Sequence, residues 1–200
     1  MYAWKFAKAH PELVSRLVLL DPLSPEDYRF RMELTEEEFK KSGADKTEGL
    51  RPDLKLTRFH LGWLVKKAMA GAPPFYYDNG FSKEERREIL SLLRTARTYQ
   101  TALEEYTGGH DMQELAGLLN NTEKLPVPIT LMTHDSGISY REIREFGGAS
   151  EEEARKIEML WQEIMQAYLP CAVSGELVRA AHSSHYIHLT DPDLICGLLQ

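Results

Sequence analysis

The groups in this chain best placed to move protons are histidines and carboxylates that stand directly after apolar runs. The stretch Ala181-His182-Ser183-Ser184-His185-Tyr186-Ile187-His188 closes the short apolar-rich run at 176–181 and leads to Asp191-Pro192. That order reads as a strand, a loop, and a helix with Asp191 as N-cap and proline at its first position. His185 is then a loop histidine just beyond a strand, where an imidazole can act as a general base. Such a base needs a carboxylate that holds its tautomer and stabilises its charged form. Two aspartates stand in the equivalent place behind the other apolar runs: Asp21 after Leu17-Val18-Leu19-Leu20, and Asp135 shortly after the run at 127–133. In a parallel sheet all three loops collect at one edge, which makes His185, Asp21 and Asp135 the candidate site. The three-residue spacing of His182, His185 and His188 invites a zinc reading. A strand-to-loop segment does not put those positions on one face and no cysteine joins them, so no metal is expected; no organic cofactor is expected either.

These groups must be positioned by the elements around them. Residues 2–10 read as a helix with Ala3, Phe6, Ala7 and His10 on one face, stopped by Pro11, and 17–20 read as a buried strand. A long helical region follows, with Phe59, Leu61, Trp63, Leu64 and Met69 in one helix and a turn-rich loop Gly71-Ala72-Pro73-Pro74-Phe75-Tyr76-Tyr77-Asp78-Asn79-Gly80. Ser82-Lys83-Glu84-Glu85 is a capping box for a helix bearing Ile89, Leu92, Leu93 and Ala96. A second strand is expected at 127–133. Ser150 then caps a helix carrying Ile157, Leu160, Trp161, Ile164 and Tyr168, and a third strand precedes His185. Strand, helical insertion, strand, helix, strand, helix is the order of an α/β fold with parallel strands.

Composition narrows the function classes. With 42% hydrophobic and 28% charged residues the chain is an ordinary globular one. Its net charge of -7 is spread along the sequence without a basic stripe, which makes it a poor nucleic-acid binder. Cys171 and Cys196 have neither metal-ligand spacing nor the density of a disulfide framework, so a reducing cytoplasm is the default. No apolar run approaches the ~18 residues that span a bilayer.

The segment around His185 resembles the end of α/β-hydrolase fold proteins, where Ser/Gly-His-Tyr/Phe-Ile-His/Gln-x-x-x-Pro-Asp/Glu-Leu surrounds the catalytic histidine. Tyr2 to Pro22, with His10-Pro11-Glu12 and the strand ending in Asp21-Pro22, resembles the stretch that follows the nucleophile elbow of the same fold. The resemblance implies a partial hydrolase fold: its last three parallel strands, flanking helices and a helical lid, divided as core 1–27, lid 28–122 and core 123–200. It implies His185 as base and either Asp21 or Asp135 as acid of a nucleophile-His-acid triad acting on a small ester-like substrate. Asp21-Pro22 with Ser24-Pro25-Glu26-Asp27 resembles the Asp-Ser/Ala-x-His-x-Asp pattern of members with large lids. Asp135 stands where the acid most often falls, but His134-Asp135-Ser136 departs from the usual Gly-x-x-Asp spacing.

No Gly-x-Ser-x-Gly occurs in the 200 residues. The elbow is therefore expected just upstream of Met1, in a gene fragment or a chain whose start was assigned too late, and the 200 residues alone are expected to be inactive. Family members with an aspartate nucleophile leave the reaction subtype open. The competing expectation is a non-catalytic remnant that binds a partner through its lid and exposed sheet edge, an edge that also favours self-association.

Overall fold

The computed structural model describes residues 2–76, 81–109, 117 and 123–199. It resolves into two compact units, Met1–Ala44 with Asp111–Gln200, and Asp45–His110. The first unit is α/β. Strands β1 (Leu17–Leu20), β2 (Ile129–Thr133) and β3 (Gly175–Arg179) form a parallel sheet in the order β1-β2-β3, with Leu19 beside Leu131 and Leu131 beside Leu177.

The residues of each strand alternate between two cores, as a parallel sheet covered on both faces requires. Leu17, Leu19, Ile129, Leu131 and Leu177 pack with Trp4, Ala7, Ile143 and the buried stripe Ala154, Ile157, Leu160 and Ile164 of the helix Glu151–Met165. Leu20, Met132 and Val178 pack with Ala180, Ile187, Leu194, Ile195 and Leu198. Every residue of central β2 is buried. β1 pairs with β2 alone among the described residues. Its Leu17 and Asp21 amides donate to Pro128 and Met132 carbonyls, so parallel geometry turns the backbone groups of Val18 and Leu20 toward the open edge.

Several local expectations shift. The helix Tyr2–Ala9 buries Trp4 and Ala7, while Ala3, Phe6 and His10 are exposed, because the bulk of Trp4 selects the stripe. The capping boxes at Ser82 and Ser150 form as expected, but Asp191 makes no side-chain cap and only Pro192 marks that helix start. The helices Tyr28–Glu33 and Glu36–Lys41 lie in the sheet-containing unit, where Phe30 and Leu34 enter its core.

The second unit is helical, built from Thr47–Arg58, Gly62–Met69, Lys83–Leu92 and Ala96–Gly109 around Leu54, Val65 and Tyr99. Phe59 and Leu61 are not in one helix with Trp63. The preceding helix ends in a Schellman turn: the Leu61 amide donates to the Leu56 carbonyl, the His60 amide to that of Thr57, and His60 adopts φ +61°. The run from Ile89 to Ala96 also breaks, with Thr95 and Thr98 hydroxyls donating to the Leu92 carbonyl. Tyr77 to Gly80 of the expected loop, and most of 110–122 in the expected lid, lie outside the described residues.

Candidate active site

Each strand ends in the same edge of the sheet, and the loop behind each carries a proton-bearing side chain. Asp21 follows β1. Its amide still donates to the Met132 carbonyl at 2.8 Å, so the chain is in the ladder when φ turns to +42°. This left-handed region strains L-residues, and aspartate and asparagine visit it most readily among those with side chains. The turn beyond it is held by the Tyr168 hydroxyl donating to the Leu23 carbonyl at 2.6 Å and the Ser24 hydroxyl donating to the Ile164 carbonyl at 2.5 Å.

Two imidazoles meet one oxygen of Asp21. His185 Nδ1 lies 2.7 Å from Asp21 Oδ2, and His134 Nδ1 lies 2.7 Å from the same atom. On its far side, His134 Nε2 lies 3.1 and 3.2 Å from the two carboxylate oxygens of Glu158. Gln162 donates to Glu158 at 2.9 Å, one helical turn along, and fixes that carboxylate. Asp21, His134 and Glu158 are buried, whereas 48% of the His185 side chain is exposed.

The geometry sets the protonation pattern. With a carboxylate oxygen opposite each ring nitrogen, His134 donates from both and is an imidazolium. Burial works against that charge, but the hydrogen bonds to Asp21 and Glu158 outweigh it and push its pKa up to about 10. Burial likewise acts to raise the Asp21 pKa, and the hydrogen bonds from His134 and His185 reverse the effect and hold it below the usual aspartate value. His185 donates its Nδ1 proton to Asp21, and its Nε2 has no hydrogen-bond partner among the described residues. This is the tautomer in which Nε2 offers a lone pair to an incoming proton. The indole of Trp161 stands edge-on to both rings, 5.6 Å from His134 and 6.2 Å from His185 between centroids. Asp21 Oδ1 and the hydroxyls of Thr133, Ser183 and Ser184 are buried without partners among the described residues.

Asp135 takes a different role. Its carboxylate accepts the Ile138 amide at 2.9 Å and caps the helix Ser136–Glu145, and no hydrogen bond joins it to His185 among the described residues. Its backbone amide donates to the Ser183 carbonyl at 2.8 Å, tying the His185 loop to the end of β2. His182 and His188 are exposed on either side of His185. No group of three or more His, Cys, Asp or Glu among the described residues is arranged to hold a metal ion.

His134 and Glu158 escaped the sequence reading. Glu158 was detectable, because it falls within the apolar stripe of Ala154, Ile157 and Trp161 at helical spacing, where an acid is buried only if it has a partner. No protein-family model, curated protein or solved structure matches the chain.

Proposed function

We propose that this chain carries the base and the orienting acid of a hydrolase of α/β-hydrolase type, acting on a small ester-like substrate. The observation that supports this most is the 2.7 Å contact of His185 Nδ1 with Asp21 Oδ2 at the carboxyl edge of a parallel sheet. In this reading His185 Nε2 takes the proton of the nucleophile and returns it to the leaving group, and Asp21 holds the tautomer and stabilises the transient imidazolium. His134 already sits as a cation against Asp21, and Glu158 offsets that charge on its far side, so the acid keeps its orientation without losing its negative character toward His185. Asp135 organises the loop as a helix cap.

The nucleophile of this reading stands on a Gly-x-Ser-x-Gly elbow, a motif that does not occur in the 200 residues. The test is to express the gene with its upstream in-frame codons and assay p-nitrophenyl acetate hydrolysis. His185→Ala and Asp21→Asn are each expected to lower kcat by about 10³–10⁴-fold, with Asp135→Asn within a fewfold of the parent. Full activity in His185→Ala overturns the proposal.

The edge of β1 that is left unpaired among the described residues favours a second reading, a non-catalytic module that pairs with another chain. That reading predicts a monodisperse, cooperatively melting protein that is silent toward esters, together with an in-frame stop codon directly upstream of Met1.

A further inference from the structure

The charge of the chain is unevenly divided, contrary to its even appearance along the sequence. The helical unit 45–110 carries 11 Lys or Arg against 9 Asp or Glu, whereas the remaining residues carry 13 against 22. Within the helical unit, residues 54–77 contain no acid at all. The same stretch presents four large apolar side chains outward: Phe59 is 67% exposed, Leu61 37%, Trp63 52% and Leu64 39%. Large apolar side chains exposed so close together in sequence are the material of an interaction surface.

The backbone holds them there. The Schellman turn at Phe59-His60-Leu61 reverses the chain and starts the helix Gly62–Met69 with Trp63 and Leu64 in its first turn. Gly62 lies against the Arg94 backbone so closely that a Cβ on it would stand 2.4 Å from the Arg94 carbonyl oxygen. Val65, on the opposite side of that helix, is buried with Leu54 and Tyr99, so the outward face is a fixed one. Lys55, Arg58, Lys66 and Lys67 flank these apolar residues in sequence, the Arg94 backbone lies against Gly62, and none of these cations has an ion-pair partner among the described residues. A groove beside Trp63 is lined by His60, Arg94 and Thr95.

We propose that residues 58–67 of the helical unit dock on an anionic lipid bilayer. Aromatic and leucine side chains at the tip enter the headgroup boundary, where amphipathic rings are most favourably placed. Lysine and arginine reach back along the apolar surface to the phosphate level. A short helix pair with one buried face and a cationic rim suits peripheral binding, and no helix among the described residues is long and apolar enough to cross a membrane.

Sedimentation of the full chain with vesicles tests this, using phosphatidylcholine alone and phosphatidylcholine with about a quarter phosphatidylserine. The protein is expected to pellet with the anionic vesicles and not with pure phosphatidylcholine, to be released by high salt, and to show a blue-shifted tryptophan emission that is absent in Trp63→Phe. Lys66→Gln and Lys67→Gln should each weaken binding about fivefold, and Phe59→Ser with Trp63→Ser should abolish it. The lysine changes are surface ones expected to move stability within about 0.5 kcal/mol, and a thermal melt of each variant, with binding measured well below its transition, separates lost binding from lost folding. Failure to bind anionic vesicles, equal binding to both compositions, or undiminished binding by the Phe59→Ser/Trp63→Ser protein overturns the proposal. So does a dimer that dissociates on Trp63→Ser while vesicles are ignored, which would make a second copy the occupant.

Discussion

The two units of this protein dispose of charge in opposite ways. In the sheet-containing unit, one set of cations is enclosed among carboxylates: Arg29 contacts Glu26, Glu33 and Glu163, Lys41 contacts Glu37 and Glu153, Lys156 contacts Glu38, and the buried imidazolium of His134 lies between Asp21 and Glu158. In the helical unit, Lys55, Arg58, Lys66 and Lys67 flank exposed aromatic and aliphatic residues in sequence and have no ion-pair partner among the described residues. Charge enclosed among partners fixes side chains in place, whereas charge left toward solvent remains available to another surface. The same residue types therefore serve internal order in one unit and are left exposed to solvent in the other.

The largest test of this contrast is removal of the buried cation. His134→Ala leaves Asp21 and Glu158 facing each other without their shared partner and is expected to cost about 3–5 kcal/mol in chemical denaturation. Lys66→Gln in the helical unit should stay within about 0.5 kcal/mol. Equal losses would erase the distinction.

Acidity and alkalinity sharpen it further. The His134 pKa rises from 6.5 to about 10 on folding, so its stabilising contribution is complete below the lower value and disappears as pH climbs through the upper one. The Asp21 pKa falls below 3.8, so its contribution is present above that value and vanishes as pH drops through the lowered one. Thermal melts against pH should show the highest stability between 3.8 and 6.5, and His134→Gln should flatten the alkaline limb while leaving the melting of the helical unit unaltered.

The smallest effect concerns the turn that shapes the exposed tip. His60 holds a left-handed conformation at φ +61°, a position where glycine carries no Cβ penalty, and His60→Gly is expected to add about 1 kcal/mol. A decrease would show that the imidazole contributes contacts of its own.

Much of this was legible in the sequence. Continuous apolar runs ahead of Asp21 and His134 announce parallel strands, because a strand covered on both faces has no need of polar alternation. That His185 meets the loops carrying Asp21 and Asp135 follows from strand order, since parallel strands deliver their following loops to a common edge, but strand order does not choose between the two aspartates. The buried His134–Glu158 contact was harder to see. It joins residues 24 apart in sequence through the packing of a helix on the sheet, and local periodicity records only that Glu158 lies on the wrong stripe for an acid. The break at Phe59-His60-Leu61 was hidden for a different reason. The turn uses histidine where glycine is usual, and the flanking apolar residues continue a helical rhythm that the backbone does not.

A single oxygen of Asp21 anchors both an enclosed ring and an accessible one. Rotation of that side chain about its Cα–Cβ bond would release the two together, so the protein interior and the solvent-facing imidazole share one mechanical joint. A disturbance that reaches Glu158 or His134 from within the molecule can thereby be felt at its rim without any movement of the strands.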